Sequence, residues 1–551
     1  MEDAPAPAKK RQNPLAPAAD FFRRFGEALV HGDAFVRLSL LFLGAGYFRR
    51  RQYMKGLIVT AIQAAFLIYT FTFSLQYISK FDTLGDVQYE KVSDYYGVIT
   101  VVATGDPEQA EADALAAGGK EFILDEETPD SYTILTAATP KGMRDVRANL
   151  EAAGYTVQSS ALRDYSYEND WDHSFRILLF SVVSIIIYLA FAVLWMRNLI
   201  LVRGLQLDDE RGVHINSFAE DVRGLFDREF HRTLLFFPIL GILVFTVMPL
   251  IVIILVAFTN YNQDHFPPAG LFTWVGLTNF RRLFQDSLSV TFGYSFRKIF
   301  SWTMLWSVLA TFTNFFAGIA LALLINNKHT RCKKVWRTAF IVAMAVPQFI
   351  SLLLVRNFFA NEGIVNSICS NLGITGFLKN IGLVPAGMNY IPFLTRSGWA
   401  KFMIVLINIW IGVPYQLLIA TGILMNIPQE QYEAATVDGA NRWQQFWNIT
   451  MPYMFFVMGP TLISDVVKNI NNFNVIYLLQ QDVYVTGDMA LAASNAKETD
   501  LLVTWLFRLT QEYYDYDMAS AIGIVIFLIS AVLTLVAFNI VMRGNREESF
   551  Q

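Results

Sequence analysis

Two polar stretches sit inside otherwise apolar sequence, where polar side chains are expensive. One reads "IVLINIWIGVPYQLL" (Ile404–Leu418) and the other "SDVVKNINNFNVIYLL" (Ser464–Leu479). In the first, Asn408, Gly412 and Tyr415 fall at i, i+4 and i+7, so one helix stripe would carry an amide, a gap and a phenol. Pro414 frees a backbone carbonyl there and can kink the helix. In the second, Asp465, Lys468, Asn469 and Asn472 fall at i, i+3, i+4 and i+7, with Asn471 and Asn474 pointing elsewhere. Polar side chains inside an apolar span mark a pathway by default. Amides both donate and accept hydrogen bonds and aromatic rings offer an apolar face, so the set suits a ligand rich in hydroxyls. Two blander alternatives stand beside that reading. The amides could glue helices together, and Asp465 and Lys468 could merely neutralise each other.

No independent catalytic chemistry is visible. The chain has no HExxH, no Cys/His metal set and no GxSxG elbow. It lacks the GxxxxGK[ST] phosphate loop; "AAGGKE" (Ala116–Glu121) has no Ser or Thr after its lysine. No cofactor is expected on this chain, and a net charge of −4 gives no sign of a nucleic-acid partner.

The elements that position these residues follow from composition. Of 551 residues, 54% are hydrophobic and 16% charged, against about 25% charged in soluble proteins. The bilayer is therefore the expected solvent. Stretches near the ~20 residues a crossing helix needs occur at 55–78, 175–196, 234–259, 301–325, 338–359, 401–425, 453–479 and 518–542. The expected fold class is thus an all-α polytopic membrane protein with eight transmembrane helices. The shorter run Phe35–Gly46 reads as an interfacial or re-entrant piece, and Arg356 as a side chain that snorkels to the interface.

Basic clusters "FRRRQYMK", "RNLILVRG", "NNKHTRCKKVWR" and "RGNR" all fall on one side when eight spans are threaded from an inside N-terminus. Both termini are then cytoplasmic, and Cys332 and Cys369 lie on opposite faces, unable to pair. The domain reading is a disordered cytoplasmic tail (1–34), an interfacial segment with span 1 (35–80), an extracytoplasmic domain (81–173), span 2 with a charged connector (174–233), and a membrane core (234–545). The 81–173 loop holds 19 Asp/Glu against 6 Lys/Arg, a balance that agrees with an outside location. Its pattern, with "GVITVVATG" and "SYTILTAAT" as strands and two Pro-started, Gly-ended helices, reads as a small α+β domain of order β-α-β-β-α-β.

Between two late spans lies the polar segment 428–452, "PQEQYEAATVDGANRWQQFWNITMP". Pro428 suits a helix start, and Gly439 permits a turn or a close backbone approach. Trp443, Phe446, Trp447 and Ile449 then recur at helical spacing until Pro452 opens the next span. Two short helices around a glycine would make a compact projection.

Here a resemblance becomes specific. Glu433, Ala434 and Ala435, then Gly439, Ile449 and Pro452, match the EAA signature of ABC importer permeases, with Met451 where the family usually has Leu. "WVGLTNF" (Trp274–Phe280), "AGIALALLIN" (Ala317–Asn326), "PQFISLLL" (Pro347–Leu354) and "GIVNSI" (Gly363–Ile368) extend the likeness over 234–545. The chain resembles the larger membrane subunit of maltose/maltodextrin importers, the MalF type. That resemblance implies a type I importer core in the cell membrane of a bacterium. It implies a second, MalG-type permease subunit, two cytoplasmic ATPase subunits carrying ATP-Mg, and an extracytoplasmic sugar-binding protein. The residues coupling to the ATPase would be Glu433, Ala434, Ala435, Asp438, Gly439, Ala440, Ile449 and Pro452. The oligosaccharide would be lined by Asn408, Ile411, Gly412, Tyr415, Asp465, Lys468, Asn469 and Asn472. At Asp465 and Lys468 the family tends to carry a small polar residue and an aromatic, so this chain exchanges a stacking platform for charge. An ion-coupled secondary transporter is the alternative class; it calls for inverted repeats and relay chains, and only one polar cluster is evident.

Overall fold

A computed structural model describes residues 16–85, 97–102, 106–124, 131–135, 140–162, 172–267, 270–285, 292–327, 329–480 and 487–547. The chain divides into two compact units. One comprises 1–255 with 264–274, the other 256–263 with 275–551.

In the first unit the helices Tyr53–Ile78, Ser174–Glu210 and Phe230–Val256 are long and apolar enough to cross a membrane. The segment expected to be a disordered tail is helical from Ala16 to His31. Its Ala28 packs with Val36, Tyr47, Leu199 and Val202 in a small core, so the helix is held by tertiary contact rather than left in solvent. The interfacial run becomes two short helices, Ala34–Leu38 and Ala45–Arg49. Non-helical backbone in a membrane protein must find partners in protein, and it does so here. Trp195 Nε1 donates to Leu40 O at 2.9 Å, Asn198 Nδ2 to Leu43 O at 3.0 Å, and Gln63 Nε2 to Leu41 O at 2.7 Å. Gly46 lies so close to Val202 that a Cβ would meet its side chain at 2.0 Å.

The small domain has the expected order. Strands β1 (Gly97–Val102), β2 (Glu121–Leu124), β3 (Ser131–Leu135) and β4 (Thr156–Leu162) form one antiparallel sheet in the order β2-β3-β1-β4. Helices Pro107–Ala116 and Pro140–Ala152 connect them, a split β-α-β arrangement. Ile99, Val101, Ala114, Ile134, Val146 and Leu150 form its core. The acidic stretch 125–130 and residues 86–96 and 163–171 lie outside the described residues, as does the start of the chain, 1–15.

The second unit is built on Phe292–Asn326 and Ser397–Leu424, which pack along each other over much of their length. Small residues permit this. A Cβ at Gly318 would meet Gln416 Cβ at 2.5 Å, and one at Gly412 would meet Asn314 Nδ2 at 2.2 Å. Arg442–Gln480 and Tyr516–Asn539 complete the set of long apolar helices in this unit.

The described residues therefore hold seven helices of crossing length, where the sequence predicts eight. The missing one, 338–359, is two pieces, Lys333–Ala345 and Gln348–Phe358. Pro347 explains the break, because it has no N–H to continue the ladder and forces Val346 into an extended conformation (ψ 126°).

Candidate functional site

The polar stripe predicted on Ser397–Leu424 exists but is composed differently. Asn408 is buried, and Gly412, one turn on, takes the Asn314 side chain against its backbone. The next turn on that face is Gln416, also buried. Tyr415 is half exposed on another face, and Ile411 packs against the large apolar cluster around Trp306 and Leu352. The stripe is thus Asn408-Gly412-Gln416 at four-residue spacing, with Tyr415 and Ile411 outside it.

The four residues predicted on the second stretch also separate, with Asp465, Lys468 and Asn469 on Met451–Ile470 and Asn472 just beyond its end. Gln416 Nε2 donates to Asp465 Oδ2 at 2.7 Å. Asn469 is buried and fully engaged. Its Nδ2 donates to Thr311 Oγ1 at 3.0 Å, its Oδ1 accepts from Asn472 Nδ2 at 3.3 Å, and its carbonyl accepts from Trp306 Nε1 at 3.1 Å. Asn472 Oδ1 accepts from Val475 N at 3.4 Å, capping the helix Phe473–Gln480 after an interruption at Asn471 and Asn472. Lys468 is exposed and makes no ion pair with Asp465 among the described residues.

What the helices bring together is a set of buried polar atoms without partners. Asn314 Oδ1, Asn408 Nδ2 and Gln416 Oε1 all lack a hydrogen bond among the described residues. They cluster around Gly412, one turn to either side and directly opposite. Leaving such a group unpaired costs about 1–3 kcal/mol, so three together on packed helices form a polar seam prepared to bond water or a hydroxylated ligand. Sequence reading missed Asn314 and Gln416. Gln416 was legible as the i+8 member of the stripe, whereas Asn314 belongs to a helix nearly a hundred residues away.

The projection 428–452 forms as expected. Gln429–Val437 ends in a Schellman turn, in which Ala440 N donates to Ala435 O at 2.8 Å and Gly439 N to Thr436 O at 3.1 Å. Gly439 has φ +80°, and no heavy atom lies within 4 Å of where its Cβ would be. Within this chain the glycine serves the turn, which its positive φ requires. Asn441 and Gln444 then close a reciprocal capping box on Arg442–Gln445. Gln445 Nε2 reaches back to Thr436 Oγ1 at 2.9 Å, and the Tyr432 and Thr450 hydroxyls pair at 2.8 Å. The two short helices are therefore cross-braced. Glu433, Ala434 and Asp438 face outward, with Ala435 and Ala440 half-buried. Val437 is 87% and Trp443 68% exposed, and Trp443, Phe446 and Trp447 form an aromatic cluster with centroids 5.2–6.0 Å apart. Ile449 lies in a π-turn, Phe446–Thr450, that runs straight into Met451–Ile470. Pro452 sits in the first turn of that helix, so it does not begin a new element.

Comparison with known proteins now bears on this geometry. Residues 314–544 match the family model described as a binding-protein-dependent transport system inner membrane component. Over 378 residues the chain is 31% identical to the maltodextrin transport system permease protein MalC of Streptococcus pneumoniae, covering 67% of this chain and 82% of MalC. The chain belongs to this permease family. The permease is also 34% identical over 299 residues to the galactooligosaccharides transport system permease protein GanP of Bacillus subtilis, covering 54% of this chain and 67% of GanP. It is 32% identical over 281 residues to the maltose/maltodextrin permease protein MalF of Klebsiella aerogenes, covering 50% and 51%. The resemblance drawn from the EAA signature is borne out, and the family match spans both the polar seam and the braced projection of this permease.

Proposed function

We propose that this permease carries an oligosaccharide of the maltodextrin class across the bacterial cytoplasmic membrane by alternating access. It would work beside a second, MalG-type permease subunit and two ATPase subunits that hold ATP-Mg. The observation that carries the reading is the braced, glycine-turned projection 428–452 with Val437 and Trp443 bare to solvent, in a family defined by binding-protein-dependent transport. Exposed apolar groups on a rigid knob mark a docking surface, and a rigid knob can transmit a few kcal/mol of coupling between sites.

In this reading the projection is cytoplasmic and seats in an ATPase subunit. The unsatisfied amides around Gly412, with Asp465, Lys468, Asn469 and Asn472 nearby, line the sugar path. The small domain lies outside, where its acidic surface receives the sugar-loaded binding protein. The relatives lend no support to the ion-coupled alternative. The test is uptake by reconstituted permease with its partner subunits and binding protein, across a panel of di- and oligosaccharides. Linear α-glucosides should be taken up with ATP hydrolysis; uptake driven by an ion gradient without ATP would overturn the proposal.

A further inference from the structure

The first unit contains a cavity of about 340 Å³ that the transport reading does not use. Val59 and Ile62 of Tyr53–Ile78 line it on one side, with Ala190, Val193, Leu194 and Leu201 of Ser174–Glu210 on the other. Its polar lining is confined to Tyr47, Arg197 and Asn198. The Asn198 amide is committed to Leu43 O. Arg197 is exposed and makes no hydrogen bond or ion pair among the described residues. Tyr47 is 6% exposed and lines the cavity, yet its hydroxyl has no hydrogen-bond partner among the described residues either. Burial, with Asp221 nearby, pushes the Tyr47 phenol up to about 12, so it remains a neutral donor.

Depth matters as much as composition. Arg197 is 23 residues beyond Ser174 on one continuous helix, or about 35 Å at ~1.5 Å per residue. That exceeds the ~30 Å hydrocarbon thickness, placing the guanidinium among headgroups while Ala190 and Val193 face acyl chains. The polar lining residues Tyr47, Arg197 and Asn198 therefore gather at headgroup depth beside Leu201, and the lining below them is apolar.

We propose that this cavity binds one anionic phospholipid. The Arg197 guanidinium and the Tyr47 hydroxyl donate to its phosphate, and an acyl chain lies along Val59, Ile62, Ala190, Val193 and Leu194. Arginine is the residue suited to such a phosphate, because its fork bonds two oxygens at once. A free guanidinium beside a buried, unpartnered phenol is the complement of that group.

The test is native mass spectrometry of the full-length chain in mild detergent, titrated with phosphatidylglycerol or with phosphatidylcholine of the same acyl chains. Phosphatidylglycerol should be retained preferentially. Arg197→Gln should weaken that retention about tenfold, the scale of one charge-assisted bond pair, and Arg197→Lys should restore part of it. Tyr47→Phe should weaken it less. Arg203→Gln, on the same helix but away from the cavity, should change nothing. Ala190→Phe, which fills the apolar end and leaves the charge in place, should expel both lipids. Equal retention by the wild type, Arg197→Gln and Ala190→Phe would overturn the proposal, as would equal loss with Arg203→Gln. So would an Ala190→Phe variant that keeps lipid but no longer assembles with its partner subunit, because the cavity would then seat a neighbouring helix.

Discussion

At the scale of single residues, the asparagines and the charges in the polar seam have different tasks. Asn469 joins two helices through Thr311 and fixes the following turn through Asn472. An interhelical hydrogen bond in a membrane protein is worth about 0.6 kcal/mol on average, so Asn469→Ala should cost about 1 kcal/mol, read as a lower unfolding midpoint in detergent. Lys468 is exposed and bonds to nothing in the described residues. Lys468→Gln should leave the midpoint within about 0.5 kcal/mol while altering which oligosaccharides are taken up. A drop in stability equal to that of Asn469→Ala would show that the lysine is structural. His173, outside the membrane, gives a pH signature. It caps Ser174–Glu210 by accepting from Arg176 N at 3.4 Å. Burial first, and the Arg176 charge second, hold its imidazole down to about 4, from an ordinary 6.5. A folded state that disfavours the proton is stabilised above about 6.5, and that contribution is lost as pH falls toward 4. Thermal unfolding should therefore show a midpoint that declines between pH 7 and pH 4.5, and His173→Asn, which can still cap, should flatten the decline.

At the scale of elements, the projection 428–452 depends on one backbone angle. Residues other than glycine pay about 1–2 kcal/mol to adopt the left-handed conformation of Gly439, asparagine less and β-branched residues more. Gly439→Val should distort the Schellman turn, misalign Val437 and Trp443, and uncouple ATP hydrolysis from uptake in the reconstituted assembly. Gly439→Asn should retain coupling, and both variants should insert normally. Full transport by Gly439→Val would discredit the docking role. The latch on the helix Met489–Ala493 is of a different kind. Asp488 Oδ2 accepts from Lys298 at 2.5 Å and from Tyr294 at 2.8 Å while its other oxygen caps the helix, and the Lys298 ammonium holds its carboxyl down to about 2. That latch stays intact across the physiological range and opens only in strong acid.

At the scale of the molecule, the count of crossings decides the topology. Seven long apolar helices taken alone would place the two termini on opposite faces. The four basic clusters favour an even number, and we propose that the split pair Lys333–Ala345 and Gln348–Phe358 crosses together to supply it. Native cysteines flank that pair, with Cys332 exposed and Cys369 half-buried. A membrane-impermeant maleimide should label Cys332 only from the cytoplasmic side and Cys369 only from outside. Labelling of both from one side would mean that the chain turns back at Pro347.

Local physics made much of this permease readable from sequence. Apolar length located the long helices, and proline-glycine punctuation gave the β-α-β-β-α-β domain its order. Gly439 and its neighbours announced a turned projection, because a Schellman cap and a capping box are written within a few residues. Even the break at Pro347 was present in the letters, masked by an apolar run long enough to span. The composition of the polar seam could not be read this way. Helical spacing grouped Asp465, Lys468, Asn469 and Asn472 on one face, but a helix face is a hundred degrees wide and a neighbour takes only part of it. Only packing decided that Asn469 is consumed by Thr311, that Asp465 meets Gln416, that Lys468 stays outside, and that Asn314 arrives from a distant helix to press against Gly412. Spacing fixes which side chains share a direction; what each one bonds is set by the surface that closes over it.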